Sequence, residues 1–153
     1  MTVPPDRSLT FEDIAVDMAL PPLHRTPTTL SLFRFAAVTW QSHLVHYDQA
    51  AALREGYPSV LVQASLHGAY LAQLLTRWVH PAGRLSTIEW SNRRYAIAGE
   101  PLTMRGTVLR RTLDRGRGLV QCAITEEDGK GEIISTGTAT VMLPHSGEVV
   151  SSP

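Results

Sequence analysis

The chain has 153 residues and a formal net charge of zero, from 14 basic and 14 acidic side chains. This length suits one domain with a substantial core and is too short for two ordinary domains. The neutral balance argues against nucleic acid as the main partner, because binding phosphates needs a basic excess. The single cysteine, Cys122, excludes an internal disulfide and a multi-cysteine zinc site. No apolar run is long enough to span a bilayer, and the N-terminus lacks a signal-peptide pattern, so we expect a cytoplasmic protein with no membrane partner.

Helical patterns fill the first half of the chain. Thr26-Pro27-Thr28-Thr29 predicts a helix start that leads into residues 30–38, and Asp48 predicts the cap of a short helix that Gly56 ends. The segment Ala64–Val79 is predicted to be a long buried helix, because it carries two adjacent apolar stripes at i+4 spacing. Gly68 lies inside this helix, where glycine costs about 1 kcal/mol relative to alanine, so we expect it to pack closely against another backbone.

Strand patterns fill the second half. We predict strands over residues 84–94, over 102–108 and around Val120, Cys122 and Ile124, where apolar and polar residues alternate. A last strand is predicted over residues 133–143, which are rich in β-branched side chains. One long helix wrapped by a curved antiparallel sheet satisfies this order, so we predict an α+β protein with a single hotdog fold over residues 10–144 and flexible tails at 1–9 and 145–153. Such a sheet leaves an exposed edge, which favours a dimer.

Titratable and polar groups are concentrated in TWQSHLVHYD, residues 39–48. His43 and His46 are three residues apart, with Gln41 before them and Asp48 after them. A surface loop with ordinary histidines explains this composition, and so does a catalytic segment. A metal site is the weaker interpretation, because no third cluster of ligands accompanies the two histidines and the carboxylate.

The stretch RFAAVTWQSHLVHYDQAAA resembles the hydratase motif of the MaoC-like hotdog family, most closely its branch of 3-hydroxyacyl-thioester dehydratases and mesaconyl-CoA hydratases. GYPSVLVQASL (56–66) and NRRYAIAGEPL (92–102) resemble two further family segments, in the same order. Some positions depart from the family pattern. Gln41 stands where the family at large has an aspartate, the family's His-Gly-Pro is Gln63-Ala64-Ser65, and Tyr95 and Ala98 replace two prolines.

The resemblance implies an (R)-type enoyl-thioester hydratase or 3-hydroxyacyl-thioester dehydratase. His46 matches the catalytic histidine, and histidine suits general acid and base catalysis near neutral pH. Gln41 would orient the attacking water, and His43 would share proton transfer or fix the tautomer of His46. A packing role is the other interpretation of His43.

The negative charge that develops on the thioester oxygen needs hydrogen-bond donors. The backbone N–H groups of Ala64 and Ser65, at the start of the long helix, are the candidates for this oxyanion hole. Arg93 and Arg94 are candidates for binding the phosphates of coenzyme A or phosphopantetheine, which enter as part of the substrate. Solvated strand charge explains these two arginines equally well. His67 is interpreted as a core residue.

We expect no metal and no redox cofactor. The acyl-thioester substrate is the small-molecule partner, and we expect a homodimer or a higher even oligomer, with a heterodimer with another hotdog chain as a further option. Two other functions fit the sequence. A hotdog thioesterase would need a carboxylate at the site, for which only Asp48 and Glu55 are near. A non-catalytic subunit that binds acyl thioesters is the other, because Gln41 replaces the family aspartate.

Overall fold

The computed structural model describes residues 8–145. Their main elements are three α-helices and five β-strands, with two short 3₁₀ turns at Phe11–Asp13 and Leu44–His46. In chain order they are β1 (Leu23–Arg25), α1 (Thr29–Thr39), α2 (Gln49–Arg54), α3 (Ala64–Val79), β2 (Arg84–Asn92), β3 (Leu102–Asp114), β4 (Arg117–Glu127) and β5 (Ile133–Leu143).

The five strands form one antiparallel sheet in the order β1-β3-β4-β5-β2. The inward-facing residues of β4 are apolar at every second position from Val120 to Ile124, as the alternation predicts. Helix α3 contacts all five strands, so the sheet wraps around it. This arrangement confirms the predicted α+β hotdog fold. Within residues 8–145, no helix is both long and apolar enough to cross a membrane.

Helix α3 has the bounds that its two apolar stripes predict. Leu71 and Leu75, on the stripe that faces the sheet, are completely buried. Gly68 is also buried, but the expected contact with another backbone is wrong. A β-carbon at this position would lie 2.2 Å from the indole ring of Trp90 on β2. Position 68 is therefore a glycine because the Trp90 ring of the edge strand β2 occupies the space that a side chain would need.

The remaining differences lie at element ends. The strand predicted over 84–94 stops at Asn92, and β1 has no counterpart in the prediction, because three residues are too few to show a period. The predicted tails fall almost wholly outside the described residues. Of their described part, Leu9 packs into the core and the ring of His145 stacks on that of Phe11, so both belong with the folded domain.

Candidate active site

The candidate site is built from the irregular segment between α1 and α3, and Gln41 enters it through a reversal of the chain. Helix α1 ends at Thr39. The next residue, Trp40, has a left-handed φ of 55°, and the N–H of Gln41 then donates to Ala36 O. This ending turns the Gln41 side chain toward α3, where its Nε2 donates to Ser65 Oγ over 2.5 Å. The hydrogen bond joins Gln41 to the first turn of α3.

His46 is the last residue of the 3₁₀ turn Leu44–His46, and its ring is held by the backbone. Its Nδ1 lies 2.9 Å from Leu61 O. A carbonyl oxygen only accepts hydrogen bonds, so Nδ1 carries a proton and the neutral ring leaves Nε2 with the lone pair. The Leu61 N–H in turn donates to Val45 O, which ties the turn to the extended segment that leads into α3. The geometry therefore selects the tautomer that a general base at Nε2 requires.

His43 lies near His46 but in a more exposed position. The two ring centroids are 5.9 Å apart and the planes are nearly perpendicular. His43 Nε2 is 3.0 Å from Glu55 Oε1, and its side chain is 61% exposed. This exposure is against the packing interpretation of His43. Glu55 was not predicted as its partner, because contacts across a loop have no signature in sequence spacing.

Both carboxylates that could serve a thioesterase already have partners. Asp48 caps α2, accepting a hydrogen bond from the Ala51 N–H over 2.8 Å, as its position in the sequence predicts. Glu55 contacts His43. Neither carboxylate is oriented as a nucleophile by a base of its own, so this alternative gains no support from the geometry.

The two candidate donors, Ala64 and Ser65, are the first two residues of α3. The first N–H groups of a helix have no partner within it, and they lie at the positive end of its dipole. His46 is bonded to Leu61, three residues before the helix, and Gln41 to Ser65. These hydrogen bonds therefore join the candidate base, His46, and the candidate water-binding residue, Gln41, to the end of α3 that carries the candidate oxyanion donors.

Arg93 and Arg94 follow β2 rather than lying in it, because the strand ends at Asn92. Both backbone N–H groups donate to Ile134 O. Arg94 forms an exposed ion pair with Glu132, and Arg93 Nε is 3.4 Å from Thr136 Oγ1. The two arginines therefore lie at the edge of the sheet, and none of these hydrogen bonds and ion pairs joins them to the Gln41–His46 segment.

A groove with mainly apolar walls lies between α1 and α3. It has a volume of about 360 Å³, and its walls include Phe35 and Val38 of α1 and Leu66 and Tyr70 of α3. One wall residue of the groove, Leu66, directly follows Ser65 in the sequence of α3. Burial raises the pKa of the Tyr70 hydroxyl, and the Arg25 charge opposes this rise. The hydroxyl is neutral and available as a hydrogen-bond donor at neutral pH.

The other titratable groups that the sequence offers lie apart from this site. Cys122 is buried on β4, and burial raises the pKa of its thiol to about 11, so it is not a nucleophile at neutral pH. His67 is buried against Glu126, which supports its interpretation as a core residue. Among residues 8–145, no three His, Cys, Asp or Glu side chains meet in a group able to hold a metal ion.

The hotdog fold, with a histidine hydrogen-bonded to Leu61 in the segment that leads into its long helix, defines the class of this protein. The comparisons give the family. Residues 15–98 match the model of hydroxyacyl-thioester dehydratase type 2, and the chain belongs to that family. This confirms the resemblance seen in the sequence.

One curated relative and several solved structures are similar to the chain. The chain is 44% identical over 63 residues to a mesaconyl-C(4)-CoA hydratase of Chloroflexus aurantiacus, an alignment that covers 37% of the chain and only 21% of that relative. Its fold is similar to that of the R-hydratase PhaJ1 from Pseudomonas aeruginosa, with a TM-score of 0.82 at 21% identity, covering 95% of this chain and 94% of that one. It is also similar to a chain of the ChsH1-ChsH2 complex from Mycobacterium tuberculosis, with a TM-score of 0.74 at 19% identity, covering 84% and 98%.

Proposed function

We propose that the chain adds water reversibly to the α,β double bond of an enoyl thioester, which in the other direction dehydrates a 3-hydroxyacyl thioester. His46 is the general acid and base of this reaction. The observation that carries the proposal is the hydrogen bond from His46 Nδ1 to Leu61 O, because it leaves Nε2 unprotonated in the neutral ring. Family membership supports the reaction class, and the position of the histidine beside the start of α3 supports its role.

In the hydration direction, Nε2 of His46 removes a proton from water as the water oxygen bonds to the β-carbon. The electrons of the double bond move toward the thioester carbonyl, whose oxygen becomes negatively charged. The N–H groups of Ala64 and Ser65 stabilise this charge, and the imidazolium then returns a proton to the α-carbon. General acid and base catalysis of this kind contributes about 10²–10⁴-fold, and one oxyanion donor about 10²–10³-fold. No electron leaves the substrate, so the proposed reaction requires no redox cofactor.

Gln41 orients the attacking water in this proposal. Its Nε2 is committed to Ser65 Oγ, so the side-chain carbonyl Oε1 is the atom that accepts a hydrogen bond from water. An amide cannot take the proton as a carboxylate does. His46 is therefore the main group for proton transfer, and His43 is the other histidine close enough to take part.

The groove between α1 and α3 receives the acyl chain, because its walls are mainly apolar and include Leu66, the residue after Ser65. Arg93 and Arg94 bind the phosphates of coenzyme A or of phosphopantetheine, which is the carrier part of the substrate. The exposure of Arg94 and its salt bridge with Glu132 make this contact weak and dependent on salt.

The test of the reaction is the absorbance of the conjugated enoyl thioester, followed with the purified chain. Short, medium and branched enoyl-CoA substrates are offered separately, and the 3-hydroxyacyl product is identified by mass. We expect the absorbance to fall to an equilibrium value at which both species are present. No rate with any of the substrates would contradict catalysis by the chain alone.

We propose that the working unit is a dimer that forms along β2. This strand ends the sheet, pairs only with β5 among the described strands and is largely exposed. An open edge of nine residues is a ready site for pairing with another strand. Light scattering at micromolar concentration should return twice the mass of the chain, and a monomer mass would count against the dimer.

A non-catalytic subunit is the second candidate, and Gln41 is the observation that favours it. One of the similar structures is a complex of two chains with different names, which provides a precedent for such an assembly. The test applies if the chain alone is inactive. A hotdog partner is then added, first to the wild type and then to His46→Ala. Equal activity in the two mixtures would favour the non-catalytic role over catalysis by this chain.

A further inference from the structure

A buried pair of titratable side chains, His67 and Glu126, lies beneath the start of α3, on the side that faces the sheet. His67 Nδ1 is 2.7 Å from Glu126 Oε2, and the side chains are 2% and 0% exposed. The angle of approach falls outside that of a good hydrogen bond, and neither Glu126 oxygen has another hydrogen-bond partner within the described residues. Burial of the Glu126 carboxyl is therefore not compensated by a hydrogen bond from the described residues, and His67 is the side chain that approaches it closely.

Stability does not explain why these two residues are polar. Apolar residues of similar volume often stabilise a core as well as a buried ion pair does. The preceding inward positions of β4, at Val120, Cys122 and Ile124, are apolar, and so are Leu71 and Leu75 on the same stripe of α3 as His67. The polar pair lies near the start of α3 and near the end of β4, which is the end of the core next to the candidate site.

Other polar contacts reach the first turn of α3 from neighbouring elements. Gln63 Nε2 donates to Leu32 O of α1 over 2.8 Å. Asn92, the last residue of β2, is 3.4 Å from Ala64 O through its Nδ2. Ser135 on β5 donates to Asn92 Oδ1 over 2.8 Å. The turn is thus held on several sides by directional contacts.

Glu126 belongs to the same cluster, because it is the cross-strand partner of Ser135. Its contact with His67 is the link between this cluster and the second turn of α3. His67 N–H and Leu66 N–H both donate to Gln63 O, so a shift of His67 is transmitted to the residue that precedes the helix. Ala64 and Ser65 lie between these two points.

We propose that His67 and Glu126 are positioning residues, which fix the first turn of α3 so that the N–H groups of Ala64 and Ser65 keep their direction. This rests on the proposed function, in which those groups bind the thioester oxygen. Donors that are already in place need no reorganisation in the transition state. A displacement of about 1 Å can lower a rate by about 10²-fold.

The test compares the double variant His67→Leu/Glu126→Leu with the single variant Glu126→Leu. The single variant should lose stability, because it leaves a polar ring unpaired in the core. The double variant should regain most of that stability but still show kcat lowered by about tenfold, a part of what the loss of one donor costs. KM should change by less than about twofold, since the acyl groove and the carrier contacts are untouched.

A second readout does not depend on activity. Amide hydrogen exchange at residues 66 and 67 should be faster by about tenfold in the double variant, with exchange at Leu74 and Leu75 unchanged. The isosteric variant Glu126→Gln should give a smaller change in the same direction. It provides the measurement if the double variant does not fold.

A wild-type kcat in the double variant, or unchanged exchange at residues 66 and 67, would overturn the proposal and leave the pair a purely structural one. An inactive wild-type chain would instead contradict the proposed function. The exchange measurement would still decide whether the pair holds the turn.

Discussion

The segment between α1 and α3, residues 40–63, and the helix–sheet core of the molecule are built in different ways. The core is stabilised by many buried apolar side chains that recur at regular spacing, so its structure does not depend on any single contact. The segment instead places each chemical group by one or two hydrogen bonds, such as those of His46 with Leu61 O and of Gln41 with Ser65 Oγ. Substitutions in the segment should therefore change rates, and substitutions in the core should change stability.

The largest effect on rate is expected for His46→Ala. Loss of the general acid and base should lower hydration by about 10²–10⁴-fold. The melting temperature should change little, because the ring is only partly buried and makes one hydrogen bond to the segment. The measurement is the enoyl-thioester assay, with a thermal melt of the same sample.

His24→Ala is the matched control. His24 is exposed on β1, and its ring lies 3.1 Å from Thr103 Oγ1, so its replacement should change neither the rate nor the melting temperature. Wild-type turnover in His46→Ala would remove His46 from the reaction. An equal loss in both variants would mean that the effect is not specific to the site.

The largest effect on stability is expected for Leu75→Ala. Leu75 is completely buried between α3 and the sheet, and removing it leaves a cavity. The free energy of unfolding should fall by about 2–5 kcal/mol. Turnover per folded molecule should remain that of the wild type, because Leu75 is distant from the start of α3. Chemical denaturation measures the first quantity, and Arg77→Ala, on the exposed side of the same helix, is the control.

The core was readable from the sequence because its signals are periodic. The bounds of α3 and β5 agree with the predicted ones, since apolar stripes and β-branched runs extend over many residues. Periodicity also contained a signal that was not used. Glu126 continues the inward alternation of Val120, Cys122 and Ile124, and this alternation predicts a buried carboxyl group on β4.

The site was only partly readable. The residue types and the family resemblance selected His46 and Gln41 as candidates, but they did not predict the hydrogen-bond partners of these side chains. Leu61 acts through its backbone oxygen, which is present at every residue and has no signature in sequence. Ser65 was predicted for its N–H, whereas the structure also uses its hydroxyl. Contacts of this kind depend on how loops close in three dimensions.

A smaller effect is expected at Gln41. Gln41→Leu should lower the rate by roughly fivefold or more, because the water loses a hydrogen-bond partner worth about 1 kcal/mol. Gln41→Asp should preserve or raise the rate, since a carboxylate accepts the same hydrogen bond from water and also takes up a proton. Both variants should be tested with thermal melts alongside.

These two variants separate three roles. Full activity in Gln41→Leu would contradict the positioning of water. Loss of stability without loss of rate in both variants would mean that the contact with Ser65 is only structural. No activity in the wild type or in either variant would favour the non-catalytic subunit.

The smallest effect is expected where the segment is most exposed, at His43 and Glu55. Their ion pair is open to solvent on both sides, so it is worth at most about 1 kcal/mol. If His43 only flanks His46, then His43→Ala and Glu55→Gln should each lower kcat by less than about fivefold. If His43 shares proton transfer, His43→Ala should lower kcat far more than Glu55→Gln does. The two variants are compared at one pH and in high and low salt, because screening weakens the ion pair and leaves proton transfer unchanged. Small losses of kcat that are equal in the two variants and disappear in high salt would mean that only His46 transfers protons. His43 and His46 would then differ in role because His43 is exposed and His46 is partly buried.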